Sequence, residues 1–160
     1  NPDEEALQEA ARIIMQGGIA VYPTETVYGI GVRFDDRPAL QRLFELKNRD
    51  QNKPLLLLLS RADDLALISN RVPPEARILT KRFWPGPLTV VLAKTDRVPD
   101  RVTAGLPTVA LRSPAHPVFR AVLRGVGRPL AAPSANRFGR TSPTEAAPSR
   151  ARCRMSRRPR

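Results

Sequence analysis

Apolar and polar positions alternate along this chain with two spacings, one typical of helices and one typical of strands. A helix is predicted from Asp3 to Gln16, where apolar residues recur at helical spacing behind acidic residues and before a glycine pair. The apolar run from Leu55 to Leu59 has no alternation, so it predicts a short strand that is covered on both faces.

Further elements follow from the same spacings. Helices are expected from Pro38 to about Lys47 and at Ala62–Ile68, Pro74–Phe83 and Pro117–Leu123. Strands are expected at Ile19–Tyr22, Leu88–Ala93, Val109–Arg112 and Pro129–Ala132, with a polar loop from Thr24 to Gly31. Irregular alternation of helices and strands within 160 residues favours one α/β or α+β domain with a mixed sheet.

The end of the chain contradicts its own local signals. Ser142-Pro143-Thr144-Glu145 is a capping box that predicts a helix, yet Pro148 follows at once and residues 149–160 are almost devoid of apolar side chains. We therefore predict one domain over residues 1–146 and a non-native or disordered Arg-rich tail over 147–160, caused by a frameshift or another artefact near Ala147. A natural basic tail that contacts RNA is the alternative.

Composition narrows the function classes. The net charge is +12, and a positive excess suits anionic ligands such as nucleotides or RNA. One cysteine and one histidine exclude a disulfide framework and an ordinary Cys/His zinc site. No apolar run reaches the roughly 20 residues that span a bilayer. The chain opens Asn1-Pro2-Asp3, which we interpret as a trimmed start rather than a signal peptide, so we expect a cytoplasmic protein without a membrane partner.

Four polar segments beside predicted strands could carry chemistry, at residues 23–29, 47–54, 108–117 and 131–144. The second holds three cations that could clamp a triphosphate, and Arg112 in the third could bind a carboxylate or a phosphate. The fourth combines small residues with Ser and Asn donors. Each segment alone also fits an ordinary loop, helix end or strand end, and His116 is expected to cap or pack rather than to catalyse.

Together, and in this order, the four segments resemble the Sua5/YrdC/YciO family. They carry a Pro-Thr-Glu-Thr-x-Tyr-Gly loop, a Lys-x-Arg motif before Lys-Pro-Leu, an Arg-x-Pro motif, and a Pro-Ser-Ala-Asn run leading to Ser-Pro-Thr. The segment 84–89, Trp-Pro-Gly-Pro-Leu-Thr, is a further hallmark that we interpret as a structural turn. The resemblance covers residues 6–146. It implies a YrdC-like twisted mixed sheet flanked by helices, with a concave, positively charged cleft.

The resemblance also implies an enzyme, a nucleotidyltransferase that forms threonylcarbamoyl-AMP from L-threonine, bicarbonate or CO2, and ATP, releasing pyrophosphate. A downstream threonylcarbamoyl transferase would then modify an adenosine beside the tRNA anticodon. Mg²⁺ would bridge phosphates, so no protein metal ligand is expected. The expected ATP contacts are Arg49, Lys53, Thr108, Ser134, Asn136 and Ser142. The expected threonine contacts are Thr26, Tyr28, Arg112 and the backbone of Ala132, and the expected catalytic residues are Lys47 and Arg49.

This chain departs from the family pattern in two ways. Some relatives have histidine where this chain has Leu58, and family members continue past Ser-Pro-Thr with elements that complete the cleft. We therefore expect an active parent enzyme, while the activity of the 160-residue chain itself stays open. Two other interpretations also stay open. One is a YrdC-like module that binds double-stranded RNA or tRNA without synthase activity. The other is a carbamoyl-transfer domain of hydrogenase-maturation type, which normally accompanies zinc-finger-like cysteines that this sequence lacks.

Overall fold

The computed structural model describes residues 4–24 and 28–135. The described helices are α1 (Glu4–Met15), α2 (Arg37–Lys47), α3 (Leu65–Ile68), α4 (Pro74–Phe83), α5 (Asp100–Thr103) and α6 (Pro117–Val126), with a 3-10 turn at Ala62–Asp64. The described strands are β1 (Ala20–Tyr22), β2 (Gly29–Arg33), β3 (Leu56–Leu58), β4 (Thr89–Ala93), β5 (Thr108–Arg112) and β6 (Leu130–Ala131). The tail predicted from residue 147 lies outside these ranges.

The strands form one mixed sheet in the order β1-β2-β6-β3-β5-β4. β3 and β5 run parallel, and the other four neighbouring pairs are antiparallel. The prediction of an α/β domain with a mixed sheet is confirmed. β6, the last described strand in sequence, lies between β2 and β3 in the interior of the sheet.

One sequence prediction is wrong, because the polar loop expected to reach Gly31 ends earlier and β2 begins at Gly29. Ile30 and Val32 point into the core from this strand, while the alternate positions are glycines. Two glycines in three positions removed the side-chain alternation that normally reveals a strand. The short helix α5 was also not predicted, since four residues carry too little periodicity.

Alternate residues along the strands form two apolar layers, one on each face of the sheet. The first layer joins Val32, Leu57 and Leu111 to residues of α2 and α3. The second joins Leu58 and Leu130 to α1 and α6. Alternate side chains of a strand point to opposite faces, so strand register decides which residues meet on each side.

The second layer is built around an aromatic pair beneath α6. The Tyr22 ring stacks on Phe119, with centroids 3.9 Å apart and planes 14° apart. The Tyr22 hydroxyl is buried and has no hydrogen-bond partner among the described residues, and this burial raises the pKa of its phenol well above its ordinary value. The ring lies across β2, where a Cβ placed at Gly29 would stand 2.7 Å from Tyr22 Cε2 and a Cβ at Gly31 would collide with the hydroxyl. The glycines of β2 are therefore required by the packing of Tyr22.

The start of α2 depends on a side-chain cap. The carboxylate of Asp36 accepts a hydrogen bond from the Ala39 N–H at 2.9 Å. We predict that Asp36→Ala lowers the free energy of unfolding by about 1 kcal/mol, because the first turn loses its acceptor. Urea denaturation measures the change. Asp63→Ala, which removes an exposed carboxylate on the 3-10 turn, is the control, and an equal loss in both variants would contradict the assignment.

Within residues 4–24 and 28–135, no helix has both the length and the apolar character needed to cross a membrane.

Candidate functional site

Among the described elements, helices cover one face of the sheet only in part. α1 and α6 pack on Leu58, Leu130 and Ala132 near its middle. Towards the β4 edge, by contrast, Thr89, Val91 and Ala93 are exposed, and Val91 keeps 63% of its surface accessible. Register places Leu58, Arg112 and Thr89 side by side on this face. The polar end of β5, at Arg112, therefore lies at the border between the part of this face that helices cover and the part that they leave exposed.

A cavity of about 170 Å³ lies at this border. Its lining combines small and apolar residues with a few polar side chains, namely Tyr22, Thr24, Gly29, Leu56, Leu58, Arg112, Pro114, Ala132, Pro133 and Ser134. Drug-sized ligands occupy pockets of roughly 300–1000 Å³, so this cavity suits a smaller molecule, of the size of an amino acid.

The cavity brings together three of the predicted site residues, Arg112, Ala132 and Ser134. Thr24 and Gly29, which also line it, flank the segment 25–27 that contains the predicted residue Thr26. Thr26 itself, and likewise Asn136 and Ser142, lie outside the described residues. The expected threonine contacts therefore coincide with the cavity wherever the structure describes them, except at Tyr28.

Tyr28 packs against the first apolar layer and is not in the lining of this cavity. Its backbone carbonyl accepts a hydrogen bond from the Ala135 N–H at 2.7 Å. The bridge between Gly29 and Ser134 lies beside this bond. The backbone of residues 28–29, rather than the tyrosine ring, thus holds the segment that follows β6.

Arg112 reaches the cavity from the last position of β5. Its Nε donates to the Gly86 carbonyl oxygen at 3.0 Å, in the turn between α4 and β4. Leu58 and Pro114 are the apolar parts of the lining nearest to it in sequence and register. A guanidinium in partly apolar surroundings is well suited to bind a carboxylate with two parallel hydrogen bonds.

Lys47 connects α2 to the same region. It is only 4% exposed, and its Nζ donates to the Ser134 carbonyl oxygen at 2.5 Å. Asn48 caps the C-terminus of α2 and adopts the left-handed conformation with φ 48°. The chain therefore turns away from the helix axis before Arg49.

The other predicted ATP ligands lie outside the cavity lining. Arg49 Nη2 donates to the Pro54 carbonyl oxygen at 2.9 Å. The pKa of Arg49 is lowered, because the effect of burial exceeds the opposite effect of the negative charge on Asp50. Lys53 is exposed. Thr108 shares the face of Arg112, but lies four residues, or roughly 13 Å, towards the other end of β5. A ligand touching both strand ends would have to extend beyond the cavity.

Several features of this site were not predicted from the sequence. Leu56 lines the cavity but carries no chemical signal of its own, while Thr24 and Pro114 lie in the predicted segments 23–29 and 108–117 but were not predicted as contacts. Gly86 was assigned only to a structural turn, although its carbonyl holds Arg112. The Trp-Pro-Gly-Pro pattern was the available signal, and it did not reveal a partner 26 residues away.

In the part of the chain that the structure describes, no group of three or more His, Cys, Asp or Glu residues is placed to hold a metal ion.

Comparisons with known proteins agree with this architecture. The Sua5/YciO/YrdC family model, described as telomere recombination, matches residues 12–155. The threonylcarbamoyl-AMP synthase of Pyrococcus abyssi is 44% identical over 144 residues, which are 90% of this chain and 42% of that protein. The threonylcarbamoyl-AMP synthase of Thiobacillus denitrificans is 39% identical over 134 residues, which are 84% of this chain and 71% of that protein.

A solved structure shows the same fold. The crystal structure of P. abyssi Sua5 complexed with L-threonine superposes with a TM-score of 0.90 at 43% identity, over 93% of this chain and 44% of that one. The expected fold is thereby confirmed. The chain spans about two fifths of the length of the P. abyssi relative.

Proposed function

Because this chain belongs to the Sua5/YciO/YrdC family, we propose that its domain forms threonylcarbamoyl-AMP from L-threonine, bicarbonate or CO2, and ATP, with release of pyrophosphate. This assigns it as a nucleotidyltransferase that supplies the activated group for threonylcarbamoyladenosine in tRNA. The proposal concerns the activity of the whole protein, and the chain spans 42% of the length of the P. abyssi relative.

The observation that carries the proposal is the position of Arg112 in a small cavity. The guanidinium of Arg112 lies at the end of β5, in the same cavity as the small residues Ala132 and Gly29, which let a ligand approach the backbone closely. This combination suits an α-amino acid, whose carboxylate would bind Arg112 and whose amine would point along the backbone of residues 132–134. The solved P. abyssi Sua5 complex with L-threonine supports the choice of amino acid.

The chemistry requires two steps. The neutral threonine amine first bonds to the carbon of bicarbonate or CO2 and gives a carbamate; water leaves when bicarbonate is the source, and the amine loses a proton to solvent when CO2 is the source. A carbamate oxygen then attacks the α-phosphorus of ATP, the bond to the β-phosphate oxygen breaks, and pyrophosphate leaves. Positioning and cations at the phosphates are the main requirements of such a transfer.

The proposed roles follow from charge and placement. Arg112, Thr26 and the backbone of Ala132 hold threonine. Lys47 fixes the Ser134 loop, and Arg49 stabilises the charge that develops on the leaving pyrophosphate. The remaining proposed ATP contacts are Lys53, Thr108, Ser134, Asn136 and Ser142. Mg²⁺ is treated as part of the MgATP substrate.

Pyrophosphate release from ATP tests this function. We expect release that depends on both L-threonine and bicarbonate, measured with the 160-residue chain and with a longer chain that carries the C-terminal part of its relatives. Loss of threonine dependence in both chains would overturn the proposal. Tight binding of double-stranded RNA in the absence of any turnover would favour an RNA-binding module instead.

We predict that Arg49→Ala lowers the rate of pyrophosphate release about 10- to 100-fold, because one cation near the phosphates is lost while the cavity stays intact. Steady-state kinetics with varied ATP measures the effect. Arg97→Ala, which removes an exposed arginine from the loop before α5, is the matched control and should stay within about twofold of wild type. Full turnover in Arg49→Ala would remove the phosphate role of Arg49.

A further inference from the structure

The turn between α4 and β4 uses both backbone groups of one glycine to hold the end of β5. The Gly86 carbonyl oxygen accepts from Arg112 Nε at 3.0 Å, and the Gly86 N–H donates to the Ser113 carbonyl oxygen at 2.8 Å. The β4–β5 ladder ends at the pair Thr89–Arg112, so these two bonds extend the connection past the last paired residues. The two bonds join the turn to Ser113 and to Arg112, which lines the cavity.

The turn is itself braced. The Trp84 indole Nε1 donates across the turn to the Leu88 carbonyl oxygen at 2.8 Å, and the Trp84 N–H closes α4 by bonding to the Thr80 carbonyl oxygen at 2.9 Å. A Cβ at Gly86 would press against the Phe83 carbonyl oxygen, closer than real Cβ atoms come. Only glycine can therefore present its carbonyl to Arg112 without moving the end of α4.

We infer that the turn formed by residues 84–89 is a positioning element for Arg112, with Gly86 as the residue that orients its guanidinium towards the carboxylate of the amino-acid substrate. The inference rests on the proposed role of Arg112 in binding L-threonine.

The physical reason is preorganisation. An arginine side chain has several rotatable bonds, and ordering such a side chain at a binding site costs conformational entropy. The bond from Nε to Gly86 fixes the plane of the guanidinium before the substrate arrives, so part of that cost is met during folding. A misplaced guanidinium would still carry its charge, but it could no longer form two parallel hydrogen bonds with the substrate carboxylate.

Gly86→Ala is the direct test, measured by pyrophosphate release with varied L-threonine and, separately, varied ATP. We expect KM for L-threonine to rise about tenfold, because a loss of the order of 1.4 kcal/mol corresponds to one decade. KM for ATP should stay within about twofold. A general loss of packing would not produce this split.

Gly18→Ala is the matched control, since a Cβ there would stand 2.6 Å from the carbonyl oxygen of Ile13 at the end of α1. Both substitutions push a methyl group against a helix-end carbonyl, but only one of them touches the contact with Arg112. Gly18→Ala should lower the melting temperature without changing either KM. Equal changes of KM for threonine in both variants would overturn the inference.

A gentler variant covers the case in which Gly86→Ala does not fold. Trp84→Phe keeps an aromatic ring on the first apolar layer, but it removes the indole donor to Leu88 and part of the ring volume. We expect KM for L-threonine to rise about two- to fivefold, in line with the loss of one neutral hydrogen bond that braces the turn. An unchanged KM for threonine in Trp84→Phe would contradict the positioning role.

A nuclear magnetic resonance experiment separates this inference from the proposed function. The Arg112 Nε–H should exchange slowly with water in the wild type and quickly in Gly86→Ala, whether or not the chain turns over ATP. If the wild type shows slow exchange that the variant loses, but has no threonine-dependent activity, the contact between Arg112 and Gly86 stands and the proposed function is rejected. Fast exchange in the wild type would reject the positioning contact itself.

Discussion

Replacing Arg112 with alanine is expected to lower kcat/KM for L-threonine about 30- to 3000-fold, because removing one partner of a buried, hydrogen-bonded charge pair costs roughly 2–5 kcal/mol. The loss should be large because Leu58 and Pro114 leave part of the cavity wall apolar, so little in the lining can replace the guanidinium. KM for ATP should change about twofold at most, since the cavity is too small for a nucleotide.

Two further variants decide how this loss is interpreted. Arg112→Lys keeps a positive charge but lacks the Nε donor to Gly86, so we expect an intermediate loss. Arg124→Ala removes an exposed arginine from the last turn of α6 and should behave like the wild type. If Arg112→Ala kept wild-type kcat/KM for threonine, the cavity would not be the amino-acid site.

Gly31→Ala is expected to destabilise the protein by more than about 3 kcal/mol, because overpacking a well-filled layer typically costs 1–3 kcal/mol, occasionally more, and here the partner cannot move away. The added methyl group would meet the Tyr22 hydroxyl, and the Tyr22 ring is stacked on Phe119. Denaturation in guanidinium chloride measures the change.

A second substitution should partly reverse this effect. Tyr22→Phe removes the colliding hydroxyl, and alone it should be neutral or stabilising by up to roughly 1–3 kcal/mol, because that hydroxyl is buried without a partner. The double variant should therefore be more stable than Gly31→Ala, although the ring carbon Cζ would still stand 3.1 Å from the new methyl group. Additive effects would show that the two positions do not contact each other.

Gly105→Ala gives a contrast that isolates backbone conformation. Gly105 has φ of +80°, and a Cβ there would meet nothing within 4 Å. Its replacement should cost on the order of 1–2 kcal/mol from the left-handed conformation alone. A larger loss at Gly105 than at Gly31 would mean that conformational strain, rather than contact with Tyr22, dominates at glycine positions in this fold.

Much of the fold could be predicted from sequence because its elements carry strong local signals. The apolar run at Leu55–Leu59 gave β3, and helical spacing gave α1, α4 and α6 close to their observed bounds. β2 was not predicted, because Gly29 and Gly31 have no side chains to alternate. The need for glycine there comes from Tyr22, a long-range packing effect that no local window contains.

The candidate site could be predicted only in part, for the same physical reason. Strand-end position marked Arg112, a hydroxyl donor beside a strand marked Ser134, and the family resemblance added Ala132; the structure places all three around one cavity. Their proximity, however, depends on the register of β3 with β5 and β6, which sequence patterns do not specify. Contacts between distant backbone atoms, such as Gly86 with Arg112, were equally invisible in the sequence.

The interior position of β6 has a consequence for biosynthesis. In the described sheet, β2 and β3 are neighbours of β6 and not of each other, so the strands made earlier by the ribosome form two separate groups. Leu130 and Ala131 join these groups only after the other five described strands have been translated. A nascent chain can therefore complete neither the described sheet nor the cavity beside it until β6 inserts, and such non-local closure is typical of slow folding steps.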